Sequence, residues 1–167
     1  MDRVGDAEGA LDQSLFDLAQ IIPDHEFRFV DQFLAALVPM TATVILHAQG
    51  MGLIRRIFRR FAARAGGPRP EGPSVFLVTA IVAIMLATHF LEVVAWAGFY
   101  VLAGLIPNSD TAMQFSMANY STLGSGIALA ERWRGLAGFE AMTSMLMFGW
   151  STAVLAAVVQ RTNDASR

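Results

Sequence analysis

His89 and Glu92 are two ionisable residues inside a long apolar stretch of this chain. Because they are three residues apart, they share one face if the stretch is a helix. Charged groups in apolar surroundings are costly unless they are paired or hydrated, so such residues indicate function by default. The spacing favours a structural hydrogen-bond pair that reaches Asn119 or Tyr120, and it also allows a proton or ion relay.

Metal binding and enzymatic chemistry have fewer supporting residues. A metal site would need a third ligand beside His89 and Glu92, and His47 is the only other histidine in an apolar stretch. Cysteine is absent, which removes thiolate ligands and a cysteine nucleophile. The chain contains neither an HExxH nor a GxSxG motif, so no nucleophile and base are assembled by a known pattern. We therefore expect no bound metal, no cofactor, no catalytic residue and no enzymatic activity.

The elements that carry these residues are predicted to span a membrane. Of the 167 residues, 54% are apolar and only 16% are charged, whereas soluble chains average about 25% charged residues. Crossing a bilayer takes about 20 mostly apolar helical residues. Three stretches reach that length, and we predict transmembrane helices over residues 33–54, 75–106 and 136–160.

Charge is segregated along the chain, and this segregation predicts an orientation. Most of the 14 acidic residues precede residue 32, and half of the 12 basic residues, all of them arginine, lie between Arg55 and Arg69. Short basic loops stay on the cytoplasmic side. We therefore predict an extracytoplasmic segment over 1–32, a cytoplasmic amphipathic linker over 55–74 and a cytoplasmic tail over 161–167, in an inner or plasma membrane.

The arginine-rich linker is predicted to bind lipid and not nucleic acid. Between Arg55 and Arg64 the spacing of the residues puts the arginines on one side of a helix and the apolar residues on the opposite side. Basic amphipathic helices of this kind favour anionic leaflets. The aromatic residues lie on the apolar side, so they are not interleaved with arginines as stacking platforms for bases.

The connection between the second and third spans, residues 108–134, resembles neither a span nor an ordinary loop. It begins with capping residues at Asn108 and continues for about three helical turns toward Tyr120. The segment Thr122-Leu123-Gly124-Ser125-Gly126 follows. A short helix and a glycine-spaced extended segment, placed on the outer side between two spans, predict a re-entrant pore loop. Such backbone is tolerated at membrane depth only where it is buried or lines a water-filled path.

The five residues from Thr122 to Gly126 resemble the selectivity filter of potassium channels, which reads Thr-Val-Gly-Tyr-Gly. The resemblance covers residues 75–160, because Phe148 to Ala153 is similar to part of the inner helix of that family. It implies a homotetramer in which carbonyls of Thr122, Leu123, Gly124, Ser125 and Gly126 replace the hydration shell of potassium. Transport would be passive. Gly149 is a candidate inner-helix hinge, and close helix packing is the alternative.

Two positions in and after the filter depart from the family pattern. Ser125 stands where the family has an aromatic residue, and Ile127 stands where it usually has aspartate. Serine cannot fill the space behind the filter, and the missing acidic ring lowers the local cation concentration. We therefore expect monovalent cations to permeate, with potassium favoured and sodium as the alternative.

Glu140 begins the third span near the predicted outer face. We expect it to pair there with Arg132 or Arg134. An alternative is that Glu140 or Glu92 lies behind the filter and replaces the support that the aromatic residue gives in the family. The other candidates for filter support or for a relay are His89, Asn119 and Tyr120.

Together these patterns predict an all-α integral membrane protein with three transmembrane helices, a re-entrant pore helix and a filter loop, assembled as a tetrameric channel. The alternative function is a small membrane transporter or accessory subunit that uses His89 and Glu92 as a proton or ion site. The arginine cluster at 55–64 lies outside the predicted spans, so no voltage-sensing helix is predicted.

Overall fold

The computed structural model describes residues 3–64 and 75–164, with side chains over 29–60 and 76–160. Within these ranges the chain is helical and contains no strand, as predicted. The elements in chain order are α1 (Arg3–Arg64), α2 (Val75–Leu102), α3 (Ser109–Tyr120), a 3₁₀ helix (Glu131–Trp133) and α4 (Leu136–Asp164).

Three of the helices are long and apolar enough to cross a membrane. The qualifying stretches are Phe29–Arg60, Phe76–Leu102 and Glu131–Gln160. The predicted all-helical fold is therefore confirmed, with three helices whose length and composition would allow them to span a membrane.

α1 continues without a break across residues 32 and 54. The predicted N-terminal segment, the first span and the start of the basic linker therefore belong to one helix. The predicted interruption by glycine and proline between residues 66 and 73 lies outside the described residues.

α2 ends at Leu102, four residues before the predicted boundary at 106. Gly104 has a φ of 68°, and the amide of Leu105 donates to the carbonyl of Tyr100 at 2.9 Å. A glycine in the left-handed conformation is the usual end of a helix. Hydropathy continues past Gly104, which is why the predicted boundary was wrong.

α3 is the short helix predicted between the second and third spans, and it packs between α2 and α4. The side chain of its N-cap, Asn108, accepts a hydrogen bond from the amide of Thr111 at 3.0 Å, as the capping pattern predicts. The buried residues of α3 are Ala112, Phe115, Ser116, Asn119 and Tyr120.

Two apolar clusters hold the helices together, and the polar pair of α2 lies between them. One cluster contains the buried rings of Trp96, Tyr100, Phe115, Tyr120 and Phe139. The other joins α1, α2 and α4 through Met51, Ile54, Leu77, Ile81, Met85 and Val158. Along α2, His89 and Glu92 come after the residues of the second cluster and before most residues of the first.

As far as Arg60 the basic segment is divided as predicted, apart from Leu53, which is 47% exposed. Ile54 is buried and Ile57 and Phe58 are half-buried, packed on the second apolar cluster. The arginines of the same turns are exposed: Arg55, Arg56, Arg59 and Arg60.

Candidate functional site: a buried polar cluster beside the glycine-spaced segment

Four helices each contribute to one buried polar cluster. His47 comes from α1, His89 and Glu92 from α2, Tyr120 from the last residue of α3, and Ser151 from α4. The pairing of His89 with Glu92 and the contact with Tyr120 are both predicted from the sequence. His47 and Ser151 are additional members.

Glu92 accepts hydrogen bonds from three sides. His47 Nδ1 lies 2.9 Å from Glu92 Oε1, and His89 Nδ1 lies 3.2 Å from Oε2. The Tyr120 hydroxyl donates to the same Oε2 and is 3.1 Å from His89 Nδ1. The carboxylate therefore joins α1, α2 and α3 at a single point.

The far sides of both imidazole rings meet the same hydroxyl. Ser151 Oγ lies 3.1 Å from His89 Nε2 and 3.4 Å from His47 Nε2. The rings also pack on aromatic neighbours in α4, with His47 5.1 Å from Trp150 and His89 4.6 Å from Phe148 between centroids. Ser151 thus closes the cluster from α4.

Burial makes this cluster energetically decisive. The side chains of His47 and Glu92 are 0% exposed, and that of His89 is 13% exposed. Removing one partner from a buried charged network leaves the others uncompensated and costs about 3–5 kcal/mol.

Glu140 is the centre of a second buried polar group, which lies against α3. Its Oε2 accepts a hydrogen bond from the Tyr100 hydroxyl at 2.8 Å, and its Oε1 lies 2.5 Å from Ser116 Oγ. Ser116 Oγ is also 2.9 Å from the carbonyl of Val93. Glu140 is therefore an internal link between α2, α3 and α4.

The predicted pairing of Glu140 with Arg132 or Arg134 is wrong. Glu140 is 0% exposed and shares the buried stripe of α4 with Leu136 and Thr143, at helical spacings of four and three residues. Arg132 instead contacts Asp31 of α1, at 3.1 Å between Nη2 and Oδ2.

Glu92 and Glu140 each brace α3, and not the filter residues directly. Their partners on α3 are Tyr120 and Ser116, which are one helical turn apart. Asn119, the other predicted supporting residue, donates through Nδ2 to the carbonyl of Phe115 at 2.9 Å. Asn119 therefore stabilises α3 itself and does not reach the His89 and Glu92 pair.

The glycine-spaced segment follows directly from α3. Thr122 and Gly124 have φ angles of 63° and 77°, so the left-handed conformation occurs at two positions separated by one residue. The amide of Thr122 donates to the carbonyl of Asn119 at 2.9 Å, and that of Gly124 donates to Ala118 at 3.1 Å. A left-handed conformation is rare and strained for a β-branched residue such as Thr122, and strain of this kind concentrates at functional sites.

Most of the glycine-spaced segment is open in the single chain. Leu123 is 85% exposed, the residues Thr122, Gly124 and Gly126 are exposed, and Ser125 is half-buried. The Ser125 hydroxyl accepts from the amide of Ile127 at 3.0 Å. Ser125 therefore supports the loop locally.

Gly149 lies in an unbroken part of α4. A methyl group built at Gly149 would meet nothing within 4 Å among the described residues. Close packing within the chain therefore does not explain this glycine, and the hinge stays a prediction.

His47 was only partly predictable from the sequence as a member of the cluster. Its signal was its position inside an apolar stretch, and the missing information was the register between α1 and α2. Ser151 and Ser116 gave no signal, since hydroxyl residues are common in apolar helices and form hydrogen bonds within their own helix.

No family model, no curated protein and no solved structure matches this chain.

Proposed function

We propose that this chain forms a passive channel for monovalent cations, with potassium favoured and sodium as the alternative ion. Four copies would surround one axis, and the carbonyls of residues 122–126 would line the path. The observation that carries this proposal is the contact between the Tyr120 hydroxyl, at the end of α3, and Glu92 in the middle of α2.

This contact supports a re-entrant course for α3. Glu92 precedes the end of α2 at Leu102 by ten residues, which is about 15 Å of helix. The Tyr120 hydroxyl therefore lies beside α2 about 15 Å from the end of that helix, within an apolar stretch. The chain returns from Tyr120 to the start of α4, so in this proposal the segment from Thr122 to Gly126 would begin its return at membrane depth.

Exposure of the glycine-spaced segment supports assembly with other copies. Irregular backbone at membrane depth must be buried in protein or line water. Leu123 is 85% exposed in the single chain, and one loop cannot surround an ion. A fourfold arrangement would cover the outer sides of these loops and leave their carbonyls facing a central path.

The backbone turns sharply at the start of the glycine-spaced segment. Thr122 and Gly124 are left-handed, and their amides donate to carbonyls of α3. Glycine adopts this conformation at no steric cost. The strained Thr122 is then explained by its function, because its carbonyl and hydroxyl would both face the ion.

The two buried carboxylates supply the support that Ser125 lacks. Glu92 and Glu140 hold α3 against α2 and α4 through Tyr120 and Ser116. Rigid placement of α3 fixes where the filter segment begins. This support acts through the helix, one step removed from the filter carbonyls.

A small transporter or accessory subunit remains the second candidate. The observation that favours it is the convergence of two histidines and one glutamate in the interior. Buried acid and histidine chains are typical of proton relays in membrane proteins.

The proposed placement in the membrane follows from charge. The exposed arginines from Arg55 to Arg60 would face the anionic cytoplasmic leaflet of an inner or plasma membrane, which puts the N-terminus outside and the C-terminus inside. No role in nucleic-acid binding or catalysis is proposed.

The mass of the purified particle in detergent tests the proposed assembly. We expect four chains per particle, measured by light scattering corrected for bound detergent or by native mass spectrometry. A particle that stays a monomer or dimer in several mild detergents and in lipid nanodiscs would remove the fourfold pore and favour the transporter or accessory subunit.

A further inference from the structure

We propose that His47, His89 and Glu92 bind a divalent transition-metal ion of the zinc class, with the Tyr120 hydroxyl as the fourth donor. The sequence alone favoured a hydrogen-bonded pair without metal, because only two ligands could be placed together. The addition of His47 from α1 completes a set of three. This inference is independent of whether the chain conducts ions.

The donor atoms lie close enough together to bind one ion. Ligand atoms of the two histidines and Glu92 all lie within 4.8 Å of one another. Zinc binds nitrogen and oxygen ligands at about 2.0–2.1 Å, so neighbouring ligand atoms of a tetrahedral site are about 3.3 Å apart. His47 Nδ1 is 2.9 Å from Glu92 Oε1 and His89 Nδ1 is 3.2 Å from Glu92 Oε2, and Tyr120 Oη is 3.1 Å from His89 Nδ1.

The chemistry of the donors selects the class of metal. Two imidazoles and one carboxylate form a set that zinc accepts in proteins. Calcium requires six to eight oxygen ligands, and magnesium requires octahedral oxygen coordination with several waters. Neither hard cation matches a buried site in which two of the donors are nitrogen.

Ser151 can serve both rings when a metal binds the two Nδ1 atoms. A neutral imidazole carries a proton on one nitrogen only, and an imidazolium carries one on each. Without a metal, one protonated histidine satisfies the network, because its Nε2 donates to Ser151 Oγ and the Ser151 hydroxyl donates to the other Nε2. A metal on the two Nδ1 atoms moves both protons to Nε2. Ser151 Oγ has two acceptor positions and lies 3.1 and 3.4 Å from these atoms.

The surroundings would hold the ligands in place. Metal-bound histidines almost always donate their second ring N–H to an oxygen that fixes the ring, and Ser151 is that oxygen for both rings. Trp150 and Phe148 pack beside His47 and His89, which keeps the surroundings apolar. Because the ligands come from α1, α2 and α3, a bound ion would clamp these helices together.

The test is metal binding to the full chain in detergent, without an affinity tag and after removal of metals with a chelator. We expect one zinc ion per chain by elemental analysis after removal of excess ion. Cobalt(II) used as a spectroscopic probe should give the intense visible absorption of a tetrahedral site. X-ray absorption of the zinc-loaded protein should show scattering from two imidazole rings.

Variants assign the ion to this cluster. His47→Gln and His89→Gln should each weaken zinc binding at least about 100-fold, because even residues that only orient a ligand cost 10–100-fold. Tyr120→Phe should weaken it about tenfold on the same grounds. His25→Gln is the matched control, since His25 is the only other histidine of the chain, and it should bind as the wild type does.

Three results would overturn the metal site. The folded wild-type chain could hold no zinc at stoichiometric loading, or its bound zinc could show no imidazole scattering in X-ray absorption. Alternatively, His47→Gln and His89→Gln could bind zinc as tightly as His25→Gln does. The wild-type measurements decide the question even if a variant fails to fold. Particle mass and ion current are separate readouts, so failure of this site and failure of the pore remain distinguishable.

Discussion

Glu92→Ala is expected to lower the free energy of unfolding by about 3–5 kcal/mol. The substitution removes the acceptor shared by His47, His89 and Tyr120 and leaves these groups without it in a largely buried cluster. Glu92→Gln should cost less, because its carbonyl oxygen still accepts one of these bonds. Unfolding of the purified chain by titration with a denaturing detergent, followed by circular dichroism, measures the difference.

Glu131→Ala is the matched control for this experiment. Glu131 lies in the exposed 3₁₀ helix before α4, so its removal should leave the unfolding curve unchanged. If Glu92→Ala unfolds at the same detergent fraction as Glu131→Ala, the cluster is not a structural junction, and the claim that Glu92 positions α3 fails with it.

Gly124→Ala is expected to reduce cation flux at least tenfold while the chain still folds and assembles. The φ of Gly124 is 77°, and a left-handed residue with a Cβ costs about 1–2 kcal/mol. A fourfold pore would contain four such residues, so the cost would apply four times. A free-energy change of about 1.4 kcal/mol already corresponds to a tenfold change in an equilibrium constant. A methyl group at this position meets nothing within 4 Å, so the effect comes from the backbone and not from a clash.

Gly138→Ala provides the comparison for Gly124→Ala. Gly138 is an exposed helical glycine in α4, and a methyl group there also meets nothing within 4 Å. Potassium efflux from loaded liposomes should match the wild type for Gly138→Ala and fall for Gly124→Ala, at equal amounts of reconstituted protein. Equal flux through the two variants would indicate that residues 122–126 form a plain turn.

The features that depend on local composition could be predicted from the sequence. Apolar runs of sufficient length identified the three spans, and capping residues before Thr111 identified α3. His89 and Glu92 were paired from their spacing alone, because helical geometry brings residues three apart onto one face. The contact of Tyr120 with this pair was also anticipated, since α3 had to pack against the second span.

The features that depend on the phase and register of helices could not be predicted. Whether Glu140 faces solvent or the interior depends on the rotation of α4, and a charged residue near a helix start suggested the surface. Its buried partners, Tyr100 and Ser116, come from two other helices. His47 reaches Glu92 only because α1 and α2 pack in one particular register.

Helix ends were predicted less well than helix positions. Hydropathy reports where an apolar run stops, whereas a helix ends where the backbone is turned. Gly104 ends α2 inside an apolar run, and α1 continues through polar residues on both sides of its apolar part. A left-handed glycine is the physical signal that the hydropathy boundary missed.

The reversal potential across a planar bilayer tests the proposed function most directly. With reconstituted protein, potassium chloride on one side and sodium chloride on the other at equal concentration, chloride current reverses at zero voltage. We predict a current whose reversal is displaced from zero toward the potassium equilibrium potential. A subsequent gradient of potassium chloride should shift the reversal in the direction set by the cation. No current at any voltage or pH, from protein shown to be folded and inserted, or a reversal that follows chloride, would contradict the cation channel.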